Sequence, residues 1–328
     1  LWMKNPCGST PLHYACQQGN IEMVQLLIKY STIDDAYAKG ACARTIFHFA
    51  AENSDVQVLK LILDTFKFED LRDKHGYTML LCAVESGPKE TIEFLLESRH
   101  KIGFNTEDRT SSGKTILHIA CEQRDIEVID PILKYIEDNN IDIDLDTGDD
   151  IGHTPLHFSL ANKKNHFSLW NKKSNPAVPI HLLKRLPTSK INDLELHGMN
   201  LLHCASKVGN VEFLKSVFED PYFDIDVDCV DINGRTPLHY ASLCGHFKVV
   251  NFLIKTYKSK DIDINAKDNN QQTAEELMPL NYPDSYAIFM PYAIPGDDIR
   301  IRELFIAERV VKREERVVTR SISKANKE

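Results

Sequence analysis

Apolar residues in this chain recur at the spacing of a helix stripe. Ile21, Val24, Leu27 and Ile28 share one helical face, and so do Val211, Leu214, Val217 and Phe218. Ahead of each stripe stands a shorter apolar element opened by a fixed string. Thr10-Pro11-Leu12-His13 returns as Thr154-Pro155-Leu156-His157 and as Thr236-Pro237-Leu238-His239. Looser copies are Thr45-Ile46-Phe47-His48, Thr78-Met79-Leu80-Leu81, Thr115-Ile116-Leu117-His118 and Asn200-Leu201-Leu202-His203. A decayed copy opens at Thr273-Ala274. The copies therefore start near 10, 45, 78, 115, 154, 200, 236 and 273. Gly8, Gly76, Gly113, Gly152, Gly198 and Gly234 each stand two residues before the opening residue, as a turn with positive φ requires. Thr then caps a short helix, and Pro takes its first turn, where a missing N–H costs nothing. A second break follows at Gly19, Gly87, Gly209 or Gly245, ahead of the second helix. Neither helix is long enough to persist alone, so each must be covered by the next unit. The pattern predicts an all-α repeat solenoid of stacked helix–turn–helix units.

With seven or eight copies of this string, residues of about 5–290 resemble an ankyrin-repeat array. The resemblance implies two antiparallel helices per repeat, a projecting β-hairpin finger, and a curved stack whose concave face binds partner proteins. It assigns the structural motif to Thr10, His13, His48, Thr115, His118, Thr154, His157, His203, Thr236 and His239, the imidazoles bonding turn backbone between repeats. Metal binding by these histidines is disfavoured. They stand one per repeat, a helix diameter of about 10 Å apart, whereas zinc ligands converge within about 2 Å of one ion.

Departures from the pattern carry expectations of their own. Most repeats are long, with extra residues after the second helix at 137–144 and 220–228, which predicts long fingers. An insertion at about 162–177, rich in Lys and Asn, is expected to bulge between the two helices of its repeat. Pro131 should kink its helix. Gln271 replaces the turn glycine and Pro279 and Pro283 follow, as in a frayed terminal cap. Residues 291–328 form a C-terminal extension, with a charged helix expected from Asp297 to about Arg320.

Charge narrows the partners. The net charge is −9, although residues 297–328 hold 9 basic and 7 acidic residues. An acidic body repels phosphate backbones, which disfavours nucleic acid. No 18-residue apolar stretch is present, so no membrane insertion is expected. Eight scattered cysteines without a CxxC pair read as reduced thiols of a cytoplasmic protein. Cys16 and Cys121 occupy the small slot that Ala51 and Ser206 fill in other repeats, and no His–Asn pattern accompanies any thiol. The run Asp142-Ile143-Asp144-Leu145-Asp146-Thr147-Gly148 has the acidic alternation of a calcium loop, but His153 stands where that loop needs a bidentate Glu. No phosphate loop, nucleophile elbow or zinc-protease string occurs. The expectation is no catalysis, no cofactor and no metal.

In the ankyrin family, partner contacts come from the residue just before the Thr and from two residues late in the first helix. Carried over, the finger positions are Ser9, Arg44, Tyr77, Lys114, His153, Met199 and Arg235. The helix positions run from Gln17 and Gln18 through Glu52 and Asn53, Glu85 and Ser86, Glu122 and Gln123, and Ala161 and Asn162, to Lys207 and Val208, Leu243 and Cys244. The earlier pairs are polar or acidic and the last two more apolar. Partner-binding anchors are therefore expected at Met199, Lys207, Val208, Arg235 and Leu243. The leading expectation is a protein-interaction scaffold or adaptor. The alternatives are a structural segment of a cytoskeletal or ciliary assembly, or the cytoplasmic array of a larger protein such as an ion channel. The first residue, Leu1, is not Met, which reads as a segment of a longer chain.

Overall fold

A computed structural model describes residues 4–52, 55–68, 71–98, 108–141, 145, 147–160, 177–185, 198–223 and 225–278. The chain divides into two compact units, residues 1–159 with 177–182 and residues 160–176 with 183–328. Helices begin one residue after seven of the eight predicted caps; Thr273 is followed by turn residues 274–277. The first pair is α1 (Pro11–Gln18) and α2 (Ile21–Ile28). A short α3 (Ile33–Ala36) and a 3-10 turn (Ala41–Ala43) lead to α4 (Ile46–Glu52) and α5 (Val56–Thr65). Next come α6 (Met79–Ser86) with α7 (Lys89–Glu97), then α8 (Ile116–Gln123) with α9 (Ile126–Asp138). These are followed by α10 (Pro155–Leu160) and α11 (Ala177–Leu183). The second unit pairs α12 (Leu201–Val208) with α13 (Val211–Glu219), and α14 (Pro237–Leu243) with α15 (Phe247–Ser259).

Within the first unit, first helices stack in the order α1, α4, α6, α8, and second helices α5, α7 and α9 follow α2. Within the second unit, α12 packs on α14 and α13 on α15. The third motif position fills both cores: Leu12, Phe47, Leu80, Leu117, Leu156, Leu202 and Leu238 are all buried. Cys16, Ala51, Cys121 and Ser206 are buried in their shared slot, as small fillers that let the first helices approach.

In five of the motifs an imidazole holds successive repeats together. The N–H of Thr10 donates to Nδ1 of His13 at 3.1 Å, which leaves the proton on Nε2. That Nε2–H then donates to the Ala38 carbonyl, 2.9 Å away in the next repeat. His48 donates in the same way to the Tyr77 carbonyl at 3.1 Å, and His118 to that of His153 at 2.8 Å. His203 reaches the Arg235 carbonyl at 2.8 Å and His239 that of Gln272 at 3.2 Å. His157 accepts from Thr154 N–H at 3.2 Å, but its buried Nε2 has no partner among the described residues.

Three expectations change. The described finger residues contain no strand, so the expected β-hairpins are hydrogen-bonded turns, with an isolated bridge from Lys267 to Thr273. Residues 137–138, read as finger, instead extend α9, and α9 and α15 each run to 13 residues. The added length in α15 continues the apolar stripe, burying Tyr257 beside Ile254, which favours helix over finger. Helix α9 also runs without interruption through Pro131. The insertion, apart from Ala177 at the start of α11, lies outside the described residues, as do Pro279, Pro283 and the extension 291–328.

Finger glycines do what the sequence asked of them. Gly76 sits at φ +78°, and a Cβ there would lie 2.6 Å from the Ser111 amide. Gly87 is different: its φ is negative, and its role is clearance, since a Cβ would come within 2.5 Å of the Ala51 carbonyl. The Thr45 repeat and the Thr273 repeat lack the finger glycine, and there Ala43 and Gln271 take φ +59° and +62°. An L-residue in that region carries about 1 kcal/mol of strain. Ala43→Gly and Gln271→Gly are each expected to raise stability by about 0.5–1 kcal/mol in urea denaturation, and an unchanged midpoint would contradict the strain assignment.

The imidazoles also set a pH dependence. Burial lowers the pKa of His13, His48, His118, His203 and His239, and takes that of His157 to about 4. The folded chain therefore holds them neutral, while the unfolded chain protonates near pH 6.5. Below that pH the unfolded state binds more protons, so this stability is complete above pH 6.5 and is lost as pH falls below it, for His157 through about pH 4. Urea midpoints should decline across that window at up to about 1.4 kcal/mol per pH unit for each histidine. A flat profile between pH 6.5 and 4.5 would count against neutral staples.

Candidate functional site

Most described fingers are closed by a side chain four residues before the residue that precedes the cap; in the Thr45 repeat that position is Gly40. Asp73 Oδ1 accepts from the amides of His75 and Tyr77 at 2.7 and 2.9 Å. Asp149, Asp231 and Asp268 repeat this arrangement, and Asn5 does so with Cys7 and Ser9. Neighbouring fingers are joined by backbone bonds: Lys74 N–H to Cys42 O at 2.8 Å, Ser111 N–H to His75 O at 2.9 Å, and Asn269 N–H to Asn233 O at 2.9 Å. The signal for this turn, Asp or Asn three residues before Gly, is present in the sequence and was missed. Its effect is to fix the finger residues that the family uses for contact.

In the first unit these finger side chains are already occupied. Arg44, Tyr77 and Lys114 each bond a residue eight positions on, late in the first helix, while Ser9 Oγ accepts from the Ala41 amide at 3.2 Å. Arg44 pairs with Glu52, Tyr77 OH donates to Glu85 Oε1 at 3.1 Å, and Lys114 Nζ meets Glu122 at 2.9 Å. Arg44 also bonds Asp73 of the next finger at 2.9 Å and lies 3.7 Å from Glu85. Burial pushes the Glu52 carboxyl pKa up, against the pull of Arg44. At Asp73 burial acts in the same direction, but the Arg44 hydrogen bond and two backbone amides outweigh it and hold the carboxyl low. Lys114 further stands 4.7 Å above the Phe158 ring, a cation–π contact. His153 lies 3.6 Å from Asp149. Asn53, Ala161 and Asn162 lie outside the described residues.

The second unit breaks this ladder. Met199 and Lys207 stand in the same eight-residue relation, as do Arg235 and Leu243, and neither combination can form an ion pair. Met199 is buried at the base of its finger, not displayed as an anchor. Lys207 is exposed, its ammonium 5.7 Å over the Tyr240 ring. Val208 is half-buried. Arg235 turns away from Leu243 and pairs with the fully buried Asp268 carboxylate at 3.2 Å. Its guanidinium is thus half-buried and engaged, where the sequence suggested an exposed anchor. Leu243 remains 41% exposed.

The fold also assembles a constellation invisible in the linear sequence. Cys229 Sγ lies 2.8 Å from Asn200 Nδ2 and 3.8 Å from His203 Nδ1. The residue types are those of a thiol hydrolase, but the chemistry is absent. Burial pushes the Cys229 thiol up to about 12. Nδ1 of His203 already accepts the Asn200 amide at 3.2 Å, so it cannot take the thiol proton. Among the described residues no group of three metal-ligating side chains converges. Among them, too, no helix is long and apolar enough to cross a membrane.

The comparisons with known proteins fit this geometry. A family model described as "Ankyrin repeats (3 copies)" matches residues 32–108 and 172–268, and "Ankyrin repeat" matches 7–37. Human Rabankyrin-5 is 29% identical over 210 residues, covering 63% of this chain and 15% of that protein. Human transient receptor potential cation channel subfamily A member 1 is 26% identical over 154 residues, covering 45% of this chain and 12% of that protein. The chain thus spans only a small part of the length of these relatives. Among solved structures, the ankyrin repeat domain of Bcl-3 matches with a TM-score of 0.50 at 19% identity, covering 83% of this chain and 95% of that one, a likeness of fold.

The Arg44 cluster yields a direct test. Arg44→Met would leave the Asp73 carboxylate buried without its cation, a loss of about 2–4 kcal/mol. Arg235→Met should act on Asp268 in the same way. If urea denaturation finds either variant within about 0.5 kcal/mol of the wild type, the guanidinium is not holding the fingers.

Proposed function

The chain belongs to the ankyrin-repeat family, and on that premise we propose that it is a non-catalytic protein-interaction scaffold whose partner seats on the Lys207, Val208 and Leu243 side of the second unit. Ankyrin repeats generally mediate protein–protein interaction. The observation that carries the placement is the break in the polar ladder at Leu243. In the first unit the finger and helix side chains satisfy one another, so a partner gains little by displacing them. At Leu243 an exposed leucine stands on the same register with no polar pairing to lose, which is the profile of an interface anchor. Lys207 beside it supplies the positive charge that would steer an acidic partner surface. Met199 and Arg235, buried and engaged respectively, serve as supports for this patch.

All eight cysteines are free thiols, in keeping with a reducing cytoplasmic location. The array acts as one module of a longer protein, since the relatives above are several times its length.

The test is crosslinking capture from native extract with the wild-type chain, with Leu243→Asp, and with Ile33→Asp as a control at an exposed apolar residue of the first unit. Leu243→Asp should weaken retention of the specific partner more than tenfold, because removing a leucine anchor costs about 2 kcal/mol. The control should retain it. Equal retention by all three would place the interface elsewhere.

A further inference from the structure

The first repeat exposes an apolar face whose equivalents are mostly buried in later repeats. Tyr14 occupies the position held by Phe49, Phe158 and Tyr240 in their own motifs. In those three the ring packs edge-on against the histidine of the preceding repeat, with centroids 5.5–5.9 Å apart: Phe49 on His13, Phe158 on His118 and Tyr240 on His203. Tyr14 has no such neighbour and is 49% exposed, whereas Phe49 and Tyr240 are 7% exposed. Met23, at 44%, aligns with Val58, Thr91, Phe213 and Val249, all at 1% or less, and with the half-buried Val128. Leu27 is half-buried where Ile62, Leu95 and Leu253 are fully enclosed. Pro11 is exposed where Ile46, Met79 and Ile116 are buried. Between these side chains lies an open cavity of about 700 Å³, edged by Lys4, Asn5 and Gln18.

The backbone tells the same story. The Tyr77 carbonyl accepts two bonds, one from its own finger at Asp73 N–H and one from His48 of the preceding repeat. The Ser9 carbonyl accepts the first of these, from Asn5 N–H at 3.0 Å, and no donor stands in the second position among the described residues. Terminal repeats of a solenoid need a polar outer face to stay soluble, and this one presents tyrosine, methionine and leucine instead.

We infer that the Tyr14, Met23 and Leu27 face is an interior repeat–repeat interface. Its occupant is a further helix pair of the same repeat type, carried by the same polypeptide ahead of the Thr10 repeat. The argument is continuity: the same positions form the intramolecular interfaces α1–α4 and α2–α5, then α4–α6 and α5–α7. That helix pair places an imidazole edge-on against Tyr14 and donates its Nε2–H to the Ser9 carbonyl.

Methionine oxidation by dilute peroxide, read by mass spectrometry, tests this in the complete encoded polypeptide and in residues 1–328. Met79, 1% exposed, is the protected reference in both. In residues 1–328 Met23 should oxidise freely. In the complete polypeptide its rate should fall at least tenfold, toward that of Met79. Met23→Glu should leave the melting temperature of residues 1–328 nearly unchanged and lower that of the complete polypeptide. Met23 oxidising equally fast in both overturns the inference. So does a reading frame with fewer than about 30 residues ahead of Leu1, too few for one repeat. Protection within residues 1–328 that disappears on dilution overturns it as well, in favour of a second copy on this face.

Discussion

The tautomer of a buried imidazole, repeated in five of the motifs, is the constraint on which both units depend. The N–H of the capping residue occupies Nδ1, which forces the proton onto Nε2 and aims it at a carbonyl one repeat away. A single ring therefore closes a helix start, fixes the finger of the next repeat and withdraws a polar group from solvent. The same geometry explains two negative results. Five of the six histidines have both ring nitrogens committed to the repeat, the Nε2 of His157 is buried without a partner, and among the described residues the six do not converge on a shared metal site. His203 does not activate Cys229, although Asn200 stands beside both, because the nitrogen facing the thiol is committed to a backbone donor.

On this frame the two units treat their display surface differently. In the first, finger and helix side chains neutralise one another across an eight-residue step, and Arg44 ties two fingers through Asp73. In the second, Arg235 retains the link between fingers through Asp268, but leucine replaces the acidic partner on the helix. Stability and display are thereby separated. The guanidinium–carboxylate bond that steadies the fingers is conserved in position between the units, while the polar pairing that would blunt recognition is dropped.

Much of this was legible in the sequence because the determinants are local. Thr10, Thr115 and Thr236 mark helix starts, the finger glycines mark left-handed turns, and the missing glycines at Ala43 and Gln271 mark where strain is borne. The length after α9 was partly misread: Glu137 and Asp138 continue the helix, and the local pattern does not mark where a helix ends. Arg235 was read as an exposed anchor because its partner, Asp268, is a full repeat away. The approach of Cys229 to His203 was hidden for the same reason. The turn-closing aspartates were readable throughout, and only the focus on glycine obscured them.

The imidazole staple binds a backbone carbonyl, which every residue offers whatever its side chain. Ala38, Tyr77, His153, Arg235 and Gln272 all serve as acceptors despite sharing no side-chain chemistry. Cohesion between repeats thus rests on main-chain atoms. A substitution at Tyr77, His153 or Gln272 keeps the acceptor whatever side chain it brings, whereas a substitution at Arg235 keeps the acceptor but breaks the ion pair with Asp268.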